Sequence, residues 1–303
     1  SFDALNDAGY GALKTLGRFN ADYAIFGTAK EESVMRDIRN GLYGAGIPVE
    51  CSKGEAEAGQ EEINIKYSDA LDTADMHTIT KNGCKEIAFQ HGRAVTFMAK
   101  YATDRAGSSS HVHQSLWTDG APVFLDSYGP NGMSDTMQHY IAGLLGHAAD
   151  MTYFLAPYVN SYKRFCVGLF APTKAVWSTD NRTAGFRVCG ANTKGIRVEC
   201  RIGGADLNPY LAMAAQLAAG LDGITRKLPL EPEMKGDVYH AGEAREVPST
   251  LRASATLLNG SAMLREAFGD AVIDHYHHAA QWEIAEHDRI VTDHEIRLGF
   301  ERA

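Results

Sequence analysis

Residues 196–202 alternate strictly, with Arg197, Glu199 and Arg201 on one side and Ile196, Val198, Cys200 and Ile202 on the other. That period of two predicts a half-buried strand whose polar face sets one carboxylate between two guanidiniums. A second alternation over 61–67 puts Glu62, Asn64 and Lys66 opposite Ile63, Ile65 and Tyr67. In SHVHQSLW, His111, His113 and Ser115 share one face of a further strand, and 94–98 reads as another. Helical spacing takes over elsewhere: Val34, Met35, Ile38 and Leu42 lie on one face, behind Thr28 and Glu31 in capping-box spacing, until Gly44 and Gly46. A helix is expected over 68–82. Ser134 is expected to cap another over 135–155, with Met137, Ile141, Leu144, Leu145 and Ala148 on its apolar side. Asn208 and Pro209 open a helix to about 227, so rich in Ala and Leu that it is expected to be largely buried. Pro229, Pro232, Gly236 and Gly242 mark 228–247 as a surface loop, and helices follow from Ser249 onward. The first 27 residues show only weak periodicity, and no repeat or linker divides the chain.

At 303 residues and 32.9 kDa, with 45% hydrophobic and 22% charged positions, the chain has the balance of a soluble globular protein with a sizeable core. A net charge of −9 argues against general binding to nucleic acid or membrane surfaces. Five cysteines without a CxxC signal neither a disulfide framework nor a structural zinc site, so a reduced, cytoplasmic protein is expected. No apolar run reaches the span of a bilayer. The chain starts at Ser1, and an upstream segment is expected to be missing from it.

Against that acidic background, Arg164, Arg182, Arg187, Lys194, Arg197 and Arg201 crowd into one stretch, which points to an anionic ligand. For 196–202 alone, a salt-bridged surface ladder is the competing reading. Glu55 on a Gly-rich loop and Glu62 on its strand can together hold a hard divalent cation, or be two solvated acids. The His111/His113 pair is equally open between metal binding and ordinary hydrogen bonding. Five histidines after 270 (His275, His277, His278, His287 and His294) are read as solvated or packing residues, since no HExxH occurs. Taken together, Glu55, Glu62, His111 and Glu199 make a carboxylate and imidazole set suited to Mg or Mn, with arginines placed to clamp a phosphoryl group. No Walker loop, kinase Gly-rich loop or GxGxxG fingerprint is present. Read from the residues alone, this is metal-dependent phosphoryl chemistry, in the manner of a ligase.

EAEAGQEEINIKY, SHVHQSLW, VNSYKRF, APTKAVW, DNRTAGFRV, IRVECRIGGADLNPYLA and AAGLDGI resemble, in order, the blocks of the glutamine synthetase catalytic domain. The resemblance implies an α+β fold, with a curved, mainly antiparallel sheet carrying Glu62, His111, His113, Arg197, Glu199 and Arg201 on its concave face and helices behind. It also implies an ATP-dependent ligase that phosphorylates glutamate on its side chain and lets an amine displace the phosphate. Two or more Mg or Mn ions are implied, one held by Glu55 and Glu62, another by His111 and Glu199. His113 and Ser115 match positions lining the nucleotide, and Arg182, Arg187, Lys194 and Arg197 match the phosphate cluster, with Arg182 and Arg201 catalytic. Gly107, Arg164 and Arg201 match the glutamate site. The partners implied are ATP, glutamate and an amine or ammonia, and full-length members form rings.

Three departures from the family pattern carry weight. Phe170 stands where ammonia-using members carry a flap glutamate, so an organic amine is the expected acceptor, closest to the γ-glutamyl-polyamine and monoamine branch. Ammonia is the second reading, and a catalytically silent domain of the same fold the third. In AGSSSH, Ala106 and Ser109 replace the Asn and Gly of many members, which bears on glutamate binding. The family's small N-terminal domain and its first metal-binding strand have no counterpart here, so residues 1–303 are expected to be a single catalytic domain with weak or no turnover alone.

Overall fold

The computed structural model describes residues 1–11, 14–166, 170–242 and 244–302. Its first part carries α1 (Phe2–Asp7), α2 (Ile25–Ala29), α3 (Glu32–Gly44), β1 (Val49–Gly54), β2 (Glu61–Ile65) and α4 (Ala70–Gln90). Then come β3 (Val112–Gln114), β4 (Trp117–Thr118), β5 (Ala121–Pro122), α5 (Asp135–Gly146), α6 (Ala148–Leu155) and α7 (Val159–Tyr162). The remainder is β6 (Trp177–Thr179), β7 (Phe186–Cys189), β8 (Arg197–Cys200), α8 (Pro209–Arg226), α9 (Leu251–Gly260), α10 (Ala262–Phe268), α11 (Asp270–Asp288) and α12 (Asp293–Arg302).

The architecture is α+β. Four strands form one sheet in the order β3-β8-β7-β6, antiparallel except for the β6–β7 pair. Register sets Val112, Cys200 and Phe186 in one row across the sheet and His113, Glu199 and Arg187 in the next. Because side chains alternate, the first row faces a core and the second faces away from it. That core joins Phe186, Val188, Val198 and Cys200 to Met137, Tyr140 and Ile141 of α5, to Met151 and Phe154 of α6, and to Ala212, Ala215 and Ala219 of α8. Helices α5 and α8 touch backbone to backbone at Gly143 and Gly223, where a Cβ on Gly223 would lie 2.7 Å from the Gly143 Cα. A smaller core closes the other end: Val34, Met35, Ile38 and Leu42 of α3 meet Cys84 of α4, with Val49, Ile63 and Ile65 of the β1–β2 ribbon against them.

Several expectations change. Glu62 sits on the separate β1–β2 ribbon and not on the four-stranded sheet, because β2 pairs with β1 alone. The polar side of β8 is more enclosed than a half-buried strand implies: Glu199, and Arg201 just past the strand, are buried beside each other, while Arg197 stays half-buried. Residues 94–98 are irregular; Phe97 covers the small core instead of pairing in a sheet. The helix over 68–82 starts one cap later, on Asp69, and runs on to Gln90. Thr28 does not cap α3: its hydroxyl donates to the Ala24 carbonyl within α2, and Glu31 takes the N-cap position without a side-chain bond. The helix expected over 135–155 breaks at His147, after Gly146, whose backbone freedom favours a stop. Helix α8 buries one face only, leaving Tyr210, Leu217 and Leu221 exposed.

Candidate active site

Glu199 is the centre of the polar sheet face. It is 2% exposed, and its Oε1 lies 2.6 Å from Arg201 Nη1, 3.3 Å from His111 Nδ1 and 3.7 Å from His113 Nε2. Its Oε2 lies 3.3 Å from Arg187 Nη1, with the Cys189 thiol at 3.7 Å. Burial alone would favour the acid form, but the Arg201 charge and those of its other neighbours outweigh it and hold the carboxyl below its ordinary range. Desolvation, aided by the Arg201 charge, pushes His111 down to about 3, and desolvation also lowers His113. Both rings are therefore neutral. Arg197 donates from Nε to His113 Nδ1 at 3.1 Å, which leaves the His113 Nε2 proton facing Glu199.

The second cluster grows from the β1–β2 ribbon. Lys53 Nζ lies 2.6 Å from Glu55, 2.7 Å from Asp22 and 3.8 Å from Glu62. Glu55 and Glu62 share a hydrogen bond, which pushes Glu62, with help from burial, up to about 7. Burial opposes ionisation of Glu55 too, but the bond from Glu62 and the pairing with Lys53 hold it down at about 2. The loop joining β1 to β2 docks onto the turn before His111: Gln60 Nε2 donates to Gly107 O at 3.1 Å and to Ser108 Oγ at 3.0 Å. Glu57 accepts from the Ala106 amide at 3.0 Å. Tyr23 joins the two clusters, its hydroxyl 3.4 Å from Arg182 Nη1, while the Arg182 carbonyl accepts from Arg201 Nε at 3.0 Å.

The remaining expected residues take differing places. Arg164 is buried and donates to the carbonyls of Ile202 and of Gly203, the latter at 3.0 Å; burial lowers its pKa to about 10. Gly107 lies against its aliphatic stem, so closely that a Cβ there would overlap Arg164 Cγ. Lys194 is exposed on the β7–β8 turn, and Ser115 follows β3, its hydroxyl accepting from Trp117 Nε1 at 3.0 Å. Phe170 is 63% exposed with φ 58°, beside 167–169, which lie outside the described residues. Sequence reasoning missed Lys53, Asp22, Tyr23 and Cys189. Only the alternation of β7, which puts Cys189 on the same face as Arg187, signalled any of them.

Among the described residues, no three His, Cys, Asp or Glu side chains come together as one metal-holding group. The expected ligands form two pairs, Glu55 with Glu62 and His111 with Glu199. Oxygen and imidazole half-shells of that kind fit hard ions that complete their coordination with phosphate and water.

The chain matches the family model described as glutamine synthetase, catalytic domain, over residues 12–298. It is 45% identical over 297 residues to the gamma-glutamylethanolamide synthetase GlnA4 of Streptomyces coelicolor, covering 98% of this chain and 63% of that protein. It is 38% identical to a glutamate–isopropylamine ligase of a Pseudomonas species, over 90% of this chain and 60% of that one. A solved GmaS/ADP complex superposes with a TM-score of 0.86 at 30% identity, over 96% of this chain and 68% of that structure. The chain therefore spans about three fifths of the length of these curated relatives.

Proposed function

Because the chain belongs to the glutamine synthetase family, matching its catalytic domain over residues 12–298, we propose that it is the catalytic domain of an ATP-dependent glutamate–amine ligase. Family members use ATP and a divalent metal ion. In this reading Glu55 and Glu62 hold one Mg or Mn ion on the glutamate and amine side, and His111 and Glu199 hold another beside the nucleotide phosphates. Such ions supply positive charge to polarise phosphoryl and carboxylate oxygens.

The chain's own residues do the rest. Arg182, Arg187, Lys194 and Arg197 clamp the phosphates and meet the negative charge spread over the phosphoryl oxygens in the transition state. His113 and Ser115 line the nucleotide. Arg201, fixed by Glu199 and by the Arg182 carbonyl, reaches both the glutamate and the transferred phosphoryl group. Arg164 and Gly107 act as the wall of the glutamate site, Arg164 through its hold on the 202–203 backbone. The γ-carboxylate oxygen attacks the terminal phosphorus of ATP and ADP leaves. The amine nitrogen then attacks the γ-carbonyl, loses a proton and expels phosphate.

The observation that carries the choice of acceptor is Phe170. Its ring is exposed and apolar at a position where an acid would hold ammonium. An aryl surface adds about 0.8 kcal/mol for each CH2 of the acceptor it buries. The names of two relatives, built on ethanolamide and isopropylamine, run the same way. Phe170→Glu is expected to raise the ratio of ammonium to alkylamine turnover at least about tenfold, since losing the ring's apolar contacts and gaining an acid that can hold ammonium both move that ratio the same way. An unchanged ratio would remove Phe170 from acceptor choice.

A further inference from the structure

Lys53 has no role in the reading above, yet among the described residues no other lysine or arginine pairs with as many carboxylates. Its ammonium sits among three carboxylates, Asp22, Glu55 and Glu62, at 2.7, 2.6 and 3.8 Å, and also 3.3 Å from the Gly54 carbonyl. The Tyr23 ring lies under it, with its centroid 5.0 Å from Nζ. Two of those carboxylates, Glu55 and Glu62, are the residues read above as ligands of a divalent ion. The other two contacts, Asp22 and Tyr23, belong to a different part of the chain and make a cation seat of their own, a carboxylate beside an aromatic face.

We propose that Lys53 is a tethered counter-cation that competes with the divalent ion for Glu55 and Glu62, with Asp22 and the Tyr23 ring as the seat to which it withdraws. This rests on the reading of Glu55 and Glu62 as metal ligands. The ammonium already touches both sets of anions, so the exchange needs only a small swing of a flexible four-carbon stem. A single ammonium shared between two seats lowers metal affinity without abolishing it. Asp22 opposes that effect by drawing the ammonium away from the ligand pair. Lys53 is thereby a positioning residue that sets how much metal the site demands.

The test is a calorimetric titration of the whole chain with Mn2+ at fixed pH and salt, run on a set of variants. Lys53→Met is expected to bind about tenfold more tightly, as loss of a unit charge at contact distance implies. Lys53→Arg, which keeps the charge, is expected to stay near the parent. Asp22→Asn is expected to weaken binding several-fold in the parent and to have much less effect when combined with Lys53→Met, because its influence passes through the ammonium. The proposal is overturned if Lys53→Met leaves affinity unchanged or weaker, if Met and Arg act alike, or if Asp22→Asn acts equally in both backgrounds. Glu62→Gln separates this from the reading beneath it. If that substitution leaves the Mn2+ isotherm untouched, the ligand pair itself has been misread and the competition falls with it; if it removes a binding event, only the Lys53 variants decide.

Discussion

At the scale of single residues, the site depends on how closely small groups let large charged ones approach. Gly107 shows this most directly. A Cβ there would overlap the Arg164 stem and stand 2.5 Å from the Ala99 carbonyl, so neither backbone nor buried arginine can yield cheaply. Gly107→Ala is expected to cost about 1–3 kcal/mol in urea unfolding and to raise the KM for glutamate more than that for ATP. Equal shifts for both substrates would place Gly107 in general packing. The acid and arginine ladder of β8 was legible in the sequence because a strand's period is two, and one row of register then supplied His113 and Arg187. Lys53 was not legible. Its meaning comes from Asp22, 31 positions earlier, and no local pattern reports such an approach.

At the scale of elements, the helices were read well where one face is apolar and the other is not. The stripe of α3 is of that kind, and all four of its expected residues are buried. The break between α5 and α6 was hidden because both halves are apolar, and it is held by tertiary bonds. His147 places Nε2 at 2.8 Å from Asp222 of α8 and Nδ1 at 3.5 Å from Asp150 of α6. Asp150 also accepts from Ser261 at 2.8 Å, and Arg226 pairs with Asp222 at 3.3 Å. The bonds to Asp150 and Asp222, against some burial, raise the His147 pKa above its ordinary value. A raised value means the protonated ring stabilises the fold: the contribution is complete below the unfolded pKa of about 6.5 and fades as pH climbs through the higher folded value. The Tm difference between parent and His147→Gln is therefore expected to be largest near pH 6 and to shrink toward about pH 9. A difference independent of pH would mean the ring acts by shape alone.

At the scale of the whole molecule, the two clusters belong to two cores. The β8 ladder stands on the large core of sheet and helices, while Glu55 and Glu62 ride on a ribbon packed over the small one. What brings them together is the docking of the β1–β2 loop on residues 106–108, with Tyr23 reaching Arg182 from the other side. The sequence pattern put Glu62 on a strand, where it is, but His111, Ser115 and Arg201 fall just beyond the ends of β3 and β8, and the pattern made one continuous sheet of two. Alternation reports which way a side chain faces, not which strand lies beside it.

The central claim, ligation of glutamate to an organic amine, is tested most directly by competition in one vessel. The protein is given ATP, glutamate, a divalent metal, and equal concentrations of ammonium and a short primary alkylamine, and both products are weighed by mass spectrometry. Because the reading is a ratio, slow turnover does not obscure it. The γ-glutamyl alkylamide is expected to exceed glutamine, and to vanish when ATP is withheld. Glutamine in excess would contradict the account.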